Sequence, residues 1–187
     1  MTRQRHFGND TPFCAWMRAH PRLPSSGPVF GFTATDSDVV VHRYKAEVDG
    51  VGTRDMQAIM QIEVKTSMSQ PKPSQLDTLM RLNMFRGDLA ALGCRLRHYG
   101  VAVLVLEQTT PDDSEHMLWA RYPAGTCEEA FLGGVRIRWR DMVVRPINRE
   151  QLVDLLRFEL HPDTLAPMCL GADGSEVLPI GSCVARQ

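Results

Sequence analysis

The chain of 187 residues lacks several features that would assign it at once to a functional class. No apolar run approaches the roughly 20 residues that a membrane-spanning helix needs, and residues 1–10 lack the apolar stretch of a signal peptide. The motifs Gly-x-x-x-x-Gly-Lys-Ser/Thr, Gly-x-Ser-x-Gly and His-x-x-x-His are also absent. These absences argue against nucleotide hydrolysis, serine-hydrolase chemistry and a metalloprotease site. We expect a soluble, cytoplasmic protein that has no membrane partner.

Neither an excess of charge nor a cysteine pattern is present. The formal net charge is −1, so no global positive field attracts nucleic acid, and any surface that binds it must be local. The cysteines lack the close paired spacing of zinc sites, and we predict that they are reduced thiols. They are Cys14, Cys94, Cys127, Cys169 and Cys183.

The 43% hydrophobic content is enough for one substantial core in a chain of this length. We therefore predict a single domain over residues 1–161. Residues 162–187 mix Pro, Gly and small residues without periodicity, and they are predicted to form a loosely ordered C-terminal tail.

Turn signals and apolar runs predict an α/β fold that has a central mixed sheet flanked by helices. Thr11 before Pro12 is a helix-start signal, and Ser74 is a plausible N-cap for a second helix that closes at Gly93. The predicted order is a helix at 11–20, strands at 29–33, 39–44 and 56–65, a helix at 74–92 and a buried strand at 99–106.

The second half of the chain is predicted to extend this sheet. Strands are expected at 117–122 and 135–139. Asn148 followed by Gln151 resembles a capping box, which predicts a C-terminal amphipathic helix that ends before Pro162.

Three charged residues form a pattern that suits phosphodiester chemistry. Asp38 lies where one strand begins, and Glu63 lies near the end of the next strand across a hairpin. Glu63 and Lys65 are two residues apart, so their side chains leave the same face of the strand. Two carboxylates on neighbouring strands can bind one divalent cation, which neutralises phosphate charge and activates water. The pattern therefore predicts metal-assisted hydrolysis.

Lysine is rare in this chain, which strengthens the case for Lys65. Only three of the 21 basic residues are lysines. A lysine is a compact point charge whose pKa can shift in a confined site, whereas arginine stays charged. The choice of lysine at the end of an otherwise apolar strand favours a chemical role.

The segments 36–41 (DSDVVV) and 62–66 (IEVKT) together resemble the signature of the PD-(D/E)XK, or restriction-endonuclease-like, nuclease superfamily. The resemblance covers about residues 11–106. It implies a restriction-endonuclease-like core of order α-β-β-β-α-β. It also implies a nuclease that depends on Mg²⁺ or Mn²⁺ and acts on DNA, with RNA not excluded.

The resemblance also implies roles for individual residues. The Asp and Glu of the superfamily bind the metal together with the backbone carbonyl between Glu and Lys, and the Lys assists the water. Carried over, Asp38, Glu63 and Val64 are metal ligands and Lys65 is the residue that assists water. Several relatives carry a Gln on the following helix, and Gln75 matches it by position.

Two alternatives remain open for this set of residues. Asp36 can replace Asp38 as the acidic ligand, although Asp38 directly precedes the apolar strand. Glu63 and Lys65 can instead be an ion pair on a solvated face. At the level of function, the alternative is a catalytically silent adaptor of the same fold that binds nucleic acid or a partner protein. A homodimer is also possible.

Basic residues outside this set are candidates for nucleic-acid contact. Lys72 is close to the predicted site in sequence. Arg136 and Arg138 alternate with apolar residues in the predicted strand 135–139, which would place both guanidinium groups on one face. A solvated edge strand protected by charge is the alternative interpretation.

Overall fold

The computed structural model describes residues 11–27, 29–35, 38–44, 56–84, 86–91, 94–170 and 176–177. The elements in chain order are α1 (Pro12–Ala19), β1 (Phe30–Thr35), β2 (Asp38–Tyr44), β3 (Met56–Lys65), α2 (Pro73–Asn83), β4 (Gly87–Ala91), β5 (Cys94–Leu106), β6 (Met117–Arg121), α3 (Thr126–Leu132), β7 (Val143–Ile147), α4 (Arg149–Leu156), β8 (Cys169–Leu170) and β9 (Glu176–Val177).

Seven strands form one mixed sheet, as predicted for an α/β fold. Its order is β1-β2-β3-β5-β6-β7, and β4 pairs with the first part of β5. The β3–β5 pair is parallel, and the other pairs are antiparallel. The antiparallel pairing of β2 with β3, in which Val39 is opposite Ile62, confirms the predicted hairpin. The predicted hairpin turn at residues 49–52 lies outside the described residues.

Helices cover both faces of this sheet. On one face, α1 and α4 pack against the side chains of Ala102, Leu104 and Leu106. On the other face, α2 and α3 pack against Val101, Val103 and Val105. The apolar run of β5 is continuous because both of its faces are buried. No helix among the described residues is long and apolar enough to span a bilayer.

Local signals at two helix starts are confirmed. Thr11 Oγ1 accepts the Cys14 N–H at 3.2 Å, and Pro12 occupies the first position of α1. Asn148 Oδ1 accepts the Gln151 N–H at 2.8 Å, and the Gln151 side chain accepts the Asn148 N–H at 3.0 Å. Both helices therefore begin where a side-chain oxygen satisfies free backbone donors.

The second helix differs from its prediction at both ends. It begins after Lys72 rather than Ser74, because Pro73 takes the first helical position and the Gln75 side chain accepts the Lys72 N–H. It ends at Asn83, ten residues before Gly93, which itself lies outside the described residues. The residues that were predicted to be its last turns form β4 instead, since they pair with β5.

The predicted strand at 135–139 is wrong. The segment 135–138 has no strand partner and leads into a single 3-10 turn, Trp139–Asp141. Asp141 Oδ2 accepts the Arg138 N–H at 2.8 Å, which bends the chain before a strand can form. The strand that extends the sheet is β7, which follows this turn, and α3 precedes it; neither was predicted.

The first part of the predicted tail is packed against the domain. Trp119 Nε1 donates to the Pro162 carbonyl at 2.8 Å, and Arg121 Nε donates to Asp163 Oδ1 at 3.0 Å. Met168 is buried in the core under α1 and α4. The domain therefore extends at least to Met168. The later residues 171–175 and 178–187 lie outside the described residues.

Candidate active site

The hairpin of β2 and β3 brings the two predicted carboxylates to one end of the sheet. Asp38 is the first residue of β2, and the pairing of Val39 with Ile62 places it beside Glu63. Asp38 Oδ2 accepts the backbone N–H of Val64 at 2.7 Å. The Asp38 side chain therefore lies against the backbone between Glu63 and Lys65.

The Val64 carbonyl points to the same side as this contact. In a β-strand, the N–H and C=O of one residue face the same neighbouring strand. Because the Val64 N–H points at the Asp38 carboxylate, the Val64 carbonyl oxygen is also directed toward the β2 side of β3. This orientation suits the backbone ligand that the sequence resemblance implies.

Glu63 is the centre of the hydrogen-bonded group. Lys65 Nζ donates to Glu63 Oε1 at 2.5 Å, and Gln75 Nε2 donates to the same oxygen at 3.1 Å. Gln75 Oε1 accepts a hydrogen bond from the Lys72 N–H. The start of α2 thus fixes the amide that contacts the carboxylate of β3.

This group is sheltered from solvent. The Glu63 side chain is 8% exposed and that of Lys65 is 17% exposed. The alternating faces of β3 explain this burial, because Ala58, Met60 and Ile62 enter the core under α1 while Glu63 points to the α2 side. A simple ion pair on a solvated face does not describe such an arrangement.

The electrostatics of the site disfavour two bare carboxylates. Burial raises the pKa of Asp38, and the neighbouring charge of Glu63 raises it further, while the Val64 N–H and Lys65 act in the opposite direction. The group contains two acidic side chains and one basic side chain, so its formal net charge is −1. A bound cation would compensate that charge.

The oxygens at this end of the sheet are few, and Mg²⁺ or Mn²⁺ can be bound by few protein ligands. No group of three or more His, Cys, Asp or Glu side chains that could hold a metal occurs among the described residues. Magnesium keeps several waters and commonly takes only one or two carboxylates. Asp38, Glu63 and the Val64 carbonyl are the oxygens at this end of the sheet that could serve as such ligands. The alternative ligand Asp36 lies outside the described residues.

Asp38 has a left-handed backbone conformation with φ of 76°. Aspartate tolerates this region better than most residues, although such a conformation costs of order 1–3 kcal/mol. The Val64 N–H and the packing of Cys14 Sγ against the Asp38 carbonyl, at 3.8 Å, hold this residue in place. Sequence reasoning did not identify this conformation, because no local pattern indicates it.

Not every predicted residue belongs to this group. The Lys72 side chain is exposed near the site, and its backbone holds Gln75. Arg136 and Arg138 are exposed beside α3, where they line grooves that contain none of the site residues. His42 lies four residues along β2 from Asp38, about 13 Å away, and its ring contacts Tyr44.

The grooves beside α3 were missed by the sequence reasoning, although a signal for this helix exists. Gly125 in a left-handed conformation precedes α3, and Gly133 caps its end. Paired glycines seven or eight residues apart can bracket a short helix.

The chain matches no protein family model, and no curated protein or solved structure is significantly similar to it.

Proposed function

We propose that this protein is a nuclease that uses Mg²⁺ or Mn²⁺ to hydrolyse phosphodiester bonds in DNA. One observation carries the proposal: Asp38 and Glu63 lie together at the backbone of Val64, with Lys65 Nζ and the Gln75 amide both donating to Glu63. Carboxylates can hold a divalent cation for phosphodiester hydrolysis, and a sheltered lysine beside them can act on the water or the phosphate.

We also propose a restriction-endonuclease-like core for this chain. The order α1-β1-β2-β3-α2-β5 follows the α-β-β-β-α-β pattern, with β4 inserted between α2 and β5. The crossover through α2 joins two parallel strands, β3 and β5, at the centre of the sheet. The carboxylates and the lysine lie where the central β3 ends.

Each residue has a distinct task in this proposal. A divalent cation held by Asp38, Glu63 and the Val64 carbonyl would supply charge neutralisation and lower the pKa of a bound water. Lys65 Nζ has three donors, and one is given to Glu63. The others can orient the attacking water or contact the scissile phosphate. Gln75 keeps the Glu63 carboxylate in place, and Lys72 is the nearest candidate for a contact with a flanking phosphate.

Cleavage of DNA by the purified protein tests this function directly. We expect nicking or degradation with Mg²⁺ or Mn²⁺, and a chelator should abolish it. Glu63→Gln keeps the size and the hydrogen-bond acceptor for Lys65 but removes the charge. Metal binding, measured by calorimetry with Mn²⁺, and cleavage should therefore fall together while the fold is retained.

The Lys65→Ala variant separates metal binding from chemistry. Metal affinity should change little, because lysine is not a ligand. The cleavage rate should fall about 10²-fold or more, the usual scale for loss of a group that assists proton transfer or stabilises charge. Equal cleavage by the wild type and both variants would contradict this assignment of the site.

A catalytically silent adaptor is the second candidate. Two observations favour it: the net charge is −1, and Glu63 Oε1 already accepts two hydrogen bonds within the protein. Such a protein would bind nucleic acid or a partner protein without cleavage. If no DNA or RNA substrate is cut with either metal, yet the wild type binds nucleic acid, this function takes precedence.

A further inference from the structure

Hydrogen bonds within the protein already occupy one oxygen of each carboxylate at the candidate active site. Asp38 Oδ2 accepts the Val64 N–H at 2.7 Å. The two hydrogen bonds that described residues donate to Glu63 both end on Oε1, from Lys65 Nζ at 2.5 Å and from Gln75 Nε2 at 3.1 Å. The described residues therefore leave Asp38 Oδ1 and Glu63 Oε2 as the carboxylate oxygens for a cation.

The orientation of the Gln75 amide is fixed at both of its ends. Its Oε1 accepts the Lys72 N–H at 3.0 Å as part of the capping box of α2, and its Nε2 donates to Glu63. A flipped amide would turn its oxygen toward the Glu63 carboxylate and its NH₂ group toward the Lys72 N–H, so both contacts would become repulsive. Gln75 therefore keeps a donor on Glu63 Oε1.

The Lys65 ammonium protects the same oxygen by its charge. The Glu63 side chain is only 8% exposed and that of Lys65 is 17% exposed, so solvent screens this pair weakly. A cation at Glu63 Oε1 would meet the ammonium at close range. Two-metal sites hold their ions about 3.5–4 Å apart, commonly through a carboxylate that gives one oxygen to each ion. Glu63 cannot do this while Lys65 and Gln75 occupy Oε1.

We infer that this site binds a single cation per chain, and that Glu63 coordinates it through Oε2 alone. The inference rests on the proposed function, since it concerns the cation of that same site. Asp38 Oδ1 and the Val64 carbonyl are the other protein ligands, and water fills the remaining positions of the cation. Lys65 Nζ supplies, beside Glu63, the positive charge that a second metal ion would supply in a two-metal site.

This arrangement also sets the choice of cation. Ca²⁺ takes six to eight oxygen ligands and often reaches that number through carboxylates that bind with both oxygens, whereas Mg²⁺ keeps several waters and needs few protein oxygens. A site in which each carboxylate gives one oxygen therefore favours Mg²⁺ or Mn²⁺ over Ca²⁺. The contacts of Lys65 and Gln75 with Glu63 Oε1 are the source of this preference.

Titration of the full chain with Mn²⁺, followed by calorimetry and by electron paramagnetic resonance, tests the number of ions. The wild type should bind one Mn²⁺ with the spectrum of an isolated ion, and Asp36→Asn should do the same. Two ions per chain, or the spectrum of a coupled pair, would overturn this inference and leave the proposed function standing. No binding at millimolar Mn²⁺ would overturn both.

Removal of the donors to Glu63 Oε1 tests the role of that oxygen. In the double variant Lys65→Met with Gln75→Leu, Ca²⁺ affinity should rise at least about fivefold relative to Mn²⁺ affinity, because Glu63 can then bind with both oxygens. Lys72→Met is the matched control: it removes an exposed positive charge near the site but keeps the N–H that holds Gln75. Its ratio of Ca²⁺ to Mn²⁺ affinity should equal that of the wild type.

Thermal denaturation without metal checks that these variants are folded. An unchanged affinity ratio in the folded double variant would contradict coordination through Glu63 Oε2 alone. The number of ions bound by the wild type decides the inference even if the double variant does not fold.

Discussion

At the scale of single residues, Asp38 combines several features that cost stability. Its backbone is left-handed, its carboxylate is partly buried beside Glu63, and its pKa is raised mainly by burial. The backbone conformation is strained, and the burial beside Glu63 disfavours the ionised carboxylate. They persist because the Val64 N–H and the strand pairing hold the residue. A strained and charged residue of this kind is commonly retained for function.

Replacement of Asp38 by Asn should stabilise the metal-free protein at pH 7. The folded-state pKa of Asp38 lies above its unfolded value, so the ionised carboxylate costs stability above the folded pKa, and that cost vanishes below the unfolded pKa. Asn can still accept the Val64 N–H. The difference in unfolding free energy between variant and wild type, measured by urea denaturation, should therefore shrink as the pH falls.

The same variant should lose its stabilisation by metal. If the proposed site binds Mn²⁺, the wild type should gain about 2.7 kcal/mol at a Mn²⁺ concentration of 100 times the dissociation constant. Asp38→Asn should gain much less under the same conditions. Equal gains in both proteins would remove Asp38 from the set of ligands.

At the scale of elements, the contact of Asn83 with β5 lies at the end of α2. Asn83, the last residue of α2, accepts the Val101 N–H at 3.1 Å and donates to Cys127 Sγ at 3.2 Å. Gly100 in β5 has φ of 71°, and a Cβ at this position would collide with Asn83 Oδ1. Two helices and the central strand thus meet at one buried amide.

Gly100→Ala should destabilise the fold by at least about 3 kcal/mol, since it combines a left-handed backbone with a steric collision. Gly134→Ala is the matched control: its φ is 64°, and nothing lies within 4 Å of an added Cβ. It should cost only about 1–2 kcal/mol, the backbone penalty alone. The unfolding free energy of both variants can be measured by urea denaturation. Similar losses in the two variants would show that the Asn83 side chain moves away from the added methyl group at little cost.

At the scale of the whole molecule, a partly buried ion cluster joins Asp163 to the sheet. Asp163 pairs with Arg86 after α2 and with Arg121 in β6. The Arg121 side chain is only 3% exposed. Burial alone would raise the pKa of Asp163, but the nearby charges of Arg121 and Arg86 outweigh it and lower the pKa. The cluster stabilises the attachment of the segment that was predicted to be a tail.

Asp163→Asn should cost about 3 kcal/mol at pH 7, because it leaves a buried guanidinium without its counter-charge. The folded-state pKa of Asp163 is below the unfolded value, so this stability is present above the unfolded pKa and is lost as the pH falls through the folded pKa. Asp112→Asn is the control, since the Asp112–Arg149 pair is 55–59% exposed. It should change stability by no more than about 0.5 kcal/mol.

The near-neutral charge of the molecule makes the salt dependence of DNA binding informative. Lys72→Ala should weaken binding uniformly across DNA sequences and reduce the slope of log affinity against log salt by about 1. The double variant Arg136→Ala with Arg138→Ala tests the phosphate contacts first predicted for that segment. A fall of the slope by about 2 would support nucleic-acid contact there, and an unchanged slope would leave both arginines as solvated surface charges.

The sequence by itself determined the parts of this protein that depend on near neighbours. The alternation of residues 56–65 predicts that Glu63 and Lys65 lie on one face of β3. The structure confirms this prediction, because the two side chains are hydrogen-bonded to each other. Thr11 and Asn148 begin helices because their side chains satisfy backbone donors within three residues. Residue type and spacing are sufficient for such features, since the interacting groups are covalently close.

Tertiary structure decided the features that depend on distant partners. The residues of β4 continue an apolar pattern that also suits a helix, and pairing with β5 makes them a strand. The segment 135–138 has strand-like alternation, yet β7 takes the place beside β6. Gln75 contacts Glu63 because the path of α2 over the sheet brings them together. Asp163 contacts the sheet through the buried side chain of Arg121, which lies 42 residues earlier in the chain. Local spacing does not encode these choices, because each is a competition between contacts that exist only after the chain has folded.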